Sequence, residues 1–311
     1  MAAPATAATL VETDEFTLSL GGWGRAGLSL VVPEIGPNEY SPSVMTARLK
    51  TTAEYDGIGS YMLMVDAASG TVRLSDMVLA FDICHALTLS AGRFKTPASY
   101  EYLVSGARTE FAARTLASSV LPRRLTGAMM TWNGVIPLRL DVGAFVPGGE
   151  RDVELRGPVV VARALVTPVD ALELHVSFTQ QIERPDASAL PQAHHGQAID
   201  VGARVEAGDW HAHAELVVHL DDEGDEGTPM ITSLVTGYRI GTGGPDIRPV
   251  AGIDLFTEDD DSRFRARVGS DFFWADDRVR AGLNYTADSQ KTDGVPAALE
   301  HSVLAFGQVS F

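Results

Sequence analysis

The feature that most limits what this chain can fold into is an alternation of apolar and polar residues with period two, which persists to the last residue. In 138–146 the even positions Leu138, Leu140, Val142, Ala144 and Val146 are apolar, whereas the odd ones include Arg139, Asp141 and Gly143. Leu172, Leu174, Val176 and Phe178 alternate with Glu173, His175, Ser177 and Thr179, and Ile199, Val201, Ala203 and Val205 with Asp200, Gly202, Arg204 and Glu206. Period two sends successive side chains to opposite faces of a strand, while an amphipathic helix needs a period of 3.6. The chain therefore reads as strand after strand with almost no helix.

Sixteen strands are predicted, over 16–32, 44–53, 58–66, 72–82, 86–95, 123–132, 137–146, 158–166, 170–182, 196–207, 209–220, 229–240, 247–258, 262–274, 278–288 and 300–311. Their connections are very short at 133–136, 167–169, 208 and 275–277, and longer and polar at 147–156, 183–195, 221–227 and 289–296. An even strand count, short turns at one end and longer loops at the other match an outer-membrane barrel with both termini on the periplasmic side. Closure is obligatory there, because unpaired backbone groups in hydrocarbon cost several kcal/mol each. The expected fold is all-β: a closed antiparallel transmembrane β-barrel of about 16 strands over 15–311, behind a flexible segment 1–14. A pair of soluble β-sandwiches shares the period but hides the apolar face inside. Trp132, Trp210 and Trp274 lie within two residues of predicted short turns, as an interfacial aromatic girdle requires. This favours the barrel, as does a final strand that ends on Phe311, the pattern of the closing strand read by the barrel-assembly machinery of Gram-negative bacteria.

Composition removes other classes. With 45% hydrophobic residues in 311 the chain is not disordered, and apolar runs such as Val159–Ala162 end at Arg163, far short of a spanning helix. A net charge of -17 argues against nucleic acid as a partner. The lone Cys84 permits no intrachain disulfide and is expected to be a small packed residue. Residues 1–13 have neither the basic start nor the apolar core of a signal peptide, leaving a mature chain or one that stays in the cell. No nucleophile elbow, phosphate loop or supported carboxylate pair is present, so no catalytic role and no cofactor are expected. An outer-membrane lipase or esterase would need lumen Ser, Asp and His to come together by folding.

Strand parity selects the residues of the lumen. In 262–274 Phe264, Ala266 and Val268 face one way, so Arg263, Arg265 and Arg267 face the other. The next strand places Arg278 and Arg280 inside, and the two preceding strands add Arg248 and Arg239. Guanidinium groups stay charged and offer planar donors to carboxylate or phosphate, so a row of them lets an anion step along. The competing reading is that each pairs with a lumen acid, for which Asp254, Asp271, Asp141, Asp200 and Glu215 are available. His211, His213 and His219 share a lumen face without an evident third ligand, and His194 and His195 occupy a loop, so no metal site is expected. The acids of 221–226 and 258–261 sit in outer loops as solvated faces or as oxygen ligands for divalent cations.

One segment is more specific. Gly92-Arg93-Phe94-Lys95-Thr96-Pro97, Glu101, Arg114-Thr115-Leu116, and Leu121-Pro122-Arg123-Arg124-Leu125-Thr126-Gly127 resemble the phosphate-selective porin O and P family, as does Val72–Leu79 before them. Ala98 and Ala113 depart from its usual bulky and acidic residues, and the detailed likeness covers 43–150. The resemblance implies a homotrimeric sixteen-stranded channel whose third loop, 96–122, folds into the pore. Arg108, Arg114, Arg123, Arg124 and Lys95 would then line the constriction. The function it implies is passive diffusion of small hydrophilic solutes with a preference for phosphate-like anions, in a bacterial outer membrane among lipid and lipopolysaccharide. A non-conducting structural or adhesive barrel is the alternative.

Overall fold

The computed structural model describes residues 7–34, 36–68, 71–134, 136–146, 157–182, 196–220, 228–259, 261–292 and 295–311. A short strand β1 (Ala8–Glu12) precedes β2 (Phe16–Pro33), β3 (Glu39–Tyr55), β4 (Gly59–Ala68), β5 (Thr71–Cys84) and β6 (Leu87–Lys95). Two one-turn helices, α1 (Tyr100–Leu103) and α2 (Ala117–Val120), lie in the segment before β7 (Arg124–Asn133). There follow β8 (Leu138–Val146), β9 (Val159–Val169), β10 (Leu172–Gln181), β11 (Gln197–Ala207) and β12 (Trp210–Leu220). The chain ends with β13 (Met230–Tyr238), β14 (Asp246–Glu258), β15 (Asp261–Trp274), β16 (Val279–Thr292) and β17 (Val295–Ser310).

Strands β2 to β17 pair antiparallel in sequence order, and β17 pairs back onto β2, so sixteen strands close a ring. The closure is made in two pieces. β17 runs along β2 until Phe311 exchanges backbone hydrogen bonds with Gly22, at 2.8 and 3.0 Å. From there β1 takes over the same edge, with Ala8 opposite Leu20 and Glu12 opposite Thr17. In this way the segment 1–14, expected to be flexible, supplies a strand at Ala8–Glu12 that covers an otherwise unpaired edge.

The wall is turned inside out relative to a water-soluble protein. Leu79, Val142, Val176, Leu234, Phe264, Val268 and Leu283 are exposed on the outer face, whereas Asp141, Asp200, Glu215, Asp254, Asp271, Arg267 and Arg280 are buried inside. Such an exterior belongs in a bilayer, where apolar side chains cost nothing and the backbone is satisfied by the ring. Trp132, Trp210 and Trp274 stand exposed at the short-turn end, with Tyr55 and Tyr238 at the same end.

Some sequence expectations are corrected. The stretch 289–296 is largely strand, because β16 continues to Thr292 and β17 starts at Val295. Cys84 is exposed at the end of β5 instead of packed. Phe145, on the polar side of its strand, is buried in the lumen. Loops 147–156, 183–195 and 221–227, with the acids of 221–226 and His194 and His195, lie outside the described residues, as does Asp260.

Candidate functional site

The segment from Thr96 to Arg123 leaves the wall and crosses the lumen. Gly92 and Gly127 face each other across β6 and β7 just before it departs. Gly92 has a φ of 132°, and a Cβ there would lie 2.0 Å from the Met77 carbonyl oxygen, so only glycine fits at this point.

An irregular segment inside a barrel has no ladder to satisfy its backbone, and the lumen wall supplies the partners. Its N–H groups are taken up by acceptors on β12 to β16. Tyr100 N donates to Glu215 Oε1 at 2.6 Å, Leu116 N to Asp254 Oδ1 at 3.3 Å, and Ala112 N to Asn284 Oδ1 at 3.1 Å. Its carbonyls are taken up by arginines. Arg25 donates to Gly106 O at 2.7 Å, Arg267 to Ala113 O at 3.0 Å, and Arg280 to Ala107 O at 3.2 Å and Glu110 O at 2.9 Å. Wall acceptors on β12, β14 and β16 and wall donors on β15, β16 and β2 thus interleave along one stretch of the barrel, with Asn284 and Arg280 on the same strand.

Packing decides which side of the lumen is filled. Leu116, Ala117 and Leu121 bury themselves against Phe145, Val159, Val161, Val217 and Ile231, while Phe111 packs on Val235 and Val250. Ala98 is wholly buried there, which leaves no room for the bulky residue expected at that position. Along β3 to β5 the lumen face is less covered: Thr46, Arg48, Thr52, Met62, Asp66 and Val78 are half-buried and Lys50 is exposed, while Met64, Ser75 and Asp76 are buried.

The arginines picked out by parity are brought together, but with acids between them. Arg263 and Arg265 share Asp288, at 2.7 and 2.8 Å, and Arg267 meets Asp254 at 3.1 Å. Arg280 and Arg248 share Asp271, both at 2.8 Å, and Arg239 bridges Asp246 and Asp277 at 2.6 and 2.7 Å. Arg278 is exposed in the turn after β15 and does not join the row. Of the loop residues, Arg108 is exposed, and Arg123 is exposed with a bond to Ser119 O. Lys95, Arg114 and Arg124 instead gather around Tyr102, with their charges 5.5, 5.1 and 5.6 Å from its ring centre.

An anion-selective porin from Comamonas acidovorans superposes with a TM-score of 0.70 at 13% identity, over 96% of this chain and 100% of that one. The fold is that of the outer-membrane porins. A loop-deletion mutant of OmpT, an outer-membrane protein of Vibrio cholerae, superposes at 0.64 with 12% identity over 96% and 100% of the two chains. A mutant porin of Rh. blastica reaches 0.59 with 15% identity over 94% and 100%. No protein-family model matches the sequence, and no curated protein matches it.

Within this porin fold several residues that sequence reasoning passed over are central. Arg25 and Arg48 both lie over the Trp23 ring, 5.3 and 5.2 Å from its centre, and Arg48 also pairs with Asp66. The parity of 16–32 and 44–53 was enough to turn both inward. Glu110, in the crossing segment, lies 3.4 Å from His211 and 4.0 Å from His213. Burial alone would raise its carboxyl, but His213, Arg248 and His211 together hold it below the usual carboxylate range. No sequence signal foretold that pairing, since it depends on how far the loop reaches.

Proposed function

We propose that the chain is an outer-membrane porin through which small hydrophilic solutes diffuse passively, with a preference for anions, phosphate-like ones first. The observation that carries this reading is the charge gathered between the crossing segment and the lumen face of β2 to β7. Arg25, Arg48, Lys95, Arg114 and Arg124 gather around Trp23 and Tyr102 against Asp66, Asp76 and Glu101, five cations to three acids. Several partly compensated cations offer weak successive sites, which an anion must have in order to leave as well as enter. Support comes from the anion-selective Comamonas structure and from the likeness of 43–150 to the phosphate-selective porins O and P. We assign 15–311 to one barrel unit, with 96–122 as the constriction. We also assign a homotrimer, in line with a trimer form of the Vibrio OmpT structure. Outer-membrane lipid and lipopolysaccharide would surround the apolar face, and the barrel-assembly machinery would read the strand ending on Phe311.

The test is the zero-current potential of the purified protein in a planar bilayer under a salt gradient. Wild type is expected to favour anions, Arg48→Gln and Arg114→Gln to lose much of that preference, and Arg263→Gln to keep most of it. Cation selectivity in the wild type overturns the anion preference. Absence of channels overturns the porin reading in favour of a structural or adhesive barrel.

A further inference from the structure

On the stretch of wall against which the start of the crossing segment packs, three side chains from adjacent strands meet. His175 of β10 and Glu215 of β12 are both in register with Gly202 of β11, and Asp200 sits two residues along the same face. A Cβ at Gly202 would lie 2.2 Å from His175 Cε1 and 2.7 Å from its Nε2. The glycine is therefore what lets the imidazole lie flat across β11 and reach both carboxylates. His175 Nε2 is 3.1 Å from Asp200 Oδ2 and 3.8 Å from Glu215 Oε1, and one ligand atom from each of the three residues lies within 4.8 Å of the others.

The chamber is closed from the lumen side. Ser99 Oγ and Tyr100 N donate to Glu215 Oε1 at 2.9 and 2.6 Å, Ser177 Oγ donates to the Ala98 carbonyl at 2.7 Å, and the Tyr100 ring stacks on His175. All three residues are buried, Asp200 and Glu215 at 0% and 1% exposure. Even so, Asp200 Oδ1 and Glu215 Oε2 have no hydrogen-bond partner. Two carboxylates with an open lone pair each, fully removed from water and beside one imidazole, are strongly unfavourable unless a cation joins them. Arg163 stands two strands from Asp200 in the row through Ser177, opposite Asp141, and its ion pair is with Glu173 at 4.0 Å.

We infer that His175, Asp200 and Glu215 form a metal site for a first-row divalent ion of the zinc type, which pins the crossing segment to the barrel wall. An imidazole nitrogen with two carboxylate oxygens is a borderline donor set that suits zinc and its neighbours, whereas calcium and magnesium take oxygen alone. Three protein ligands would leave a fourth position to water or another ligand, and Ser99 Oγ lies 2.9 Å from Glu215 Oε1. Because Glu215 also receives Ser99 and Tyr100, the ion would fix the first turn of the loop as well as the wall.

The experiment uses the full chain refolded in detergent without lipopolysaccharide, treated with a chelator and then dialysed against Zn2+. Metal content is expected at one equivalent per chain in wild type and in a His194→Gln/His195→Gln control, and to fall to background in His175→Gln and Asp200→Asn. X-ray absorption of the wild-type zinc edge is expected to show nitrogen and oxygen ligands with a single imidazole, a readout that stands even if a variant fails to fold. No bound zinc in the wild type, equal binding in Asp200→Asn, or a spectrum with two or more imidazoles overturns the assignment. The first of these would leave a proton shared by the two carboxylates.

Discussion

Arg267 and Arg280 are each held from two directions, by an acid on the wall and by a carbonyl of the crossing segment, and such surroundings decide what the loss of an arginine costs. Arg267 is 2% exposed, sits 4.5 Å above the Phe111 ring, and meets both Asp254 and Ala113 O. Arg267→Ala leaves Asp254 buried without its cation and is expected to lower stability by about 3 kcal/mol or more. Arg263 shares Asp288 with Arg265 in a partly solvated position, so Arg263→Ala is expected to cost about 1 kcal/mol or less. Urea titration of the two variants in detergent checks the contrast. Glu110 supplies a pH dependence of its own. A carboxyl held below its ordinary value stabilises the folded state above about pH 4.3, the unfolded value, and loses that contribution as pH falls through the lower folded one. Open-channel current is therefore expected to stay quiet at pH 5 and become noisy on acidification below about pH 4. Glu110→Gln is expected to be noisy at both, and a pH-independent trace in the wild type would count against the clamp.

Among the elements, the crossing segment is the one whose position depends on everything else. Its helices are single turns, too short to hold themselves, so its place is set by the wall groups that receive its backbone and by a few apolar anchors. Phe111 is the anchor between Val235 and Val250, and Phe111→Ala removes packing worth about 3–5 kcal/mol at a buried site. The loss is expected to fall on the loop and not on the ring of strands. Single-channel recordings should then show a larger and fluctuating conductance while the folded barrel keeps its gel mobility; an unchanged conductance would mean that the polar clamps hold the segment alone. Within this element the sequence showed the departure point at Gly92 and Lys95 and the return at Arg124, but not the direction of the path between them. The acceptors Glu215, Asp254 and Asn284 come from strands more than 100 positions away along the chain.

For the molecule as a whole, the bilayer acts as the outer solvent. Val268, midway along β15, is 53% exposed on the outer face. Val268→Arg places a charge near the middle of the hydrocarbon and is expected to cost about 2–4 kcal/mol, measured as the shift in folding midpoint in lipid vesicles. The same substitution in a soluble sandwich would strike a packed core instead, so an effect present in detergent and vesicles alike and much larger than this would argue against the lipid-facing assignment. Ring closure also belongs to this scale, since β1 completes the edge that β17 leaves free and no local pattern in Ala8–Glu12 marks it as a strand.

What the sequence determined by itself is what period two can carry: the sixteen strands of the ring, the face taken by residues within them, the level of Trp132, Trp210 and Trp274, and the inward direction of Arg263, Arg265, Arg267 and Arg280. These follow from local geometry, because alternation fixes a side without reference to any other strand. The tertiary structure decided which inward residues meet. It turned the arginine row from a free track into a cradle with Asp254, Asp271 and Asp288, moved Arg278 out into a turn, and buried Phe145 beneath the loop. It also set His175 against Asp200 and Glu215. Register and closure bring such partners together across the barrel, and the interaction that results depends on distance and exclusion of water, neither of which is written in the order of residues along one strand.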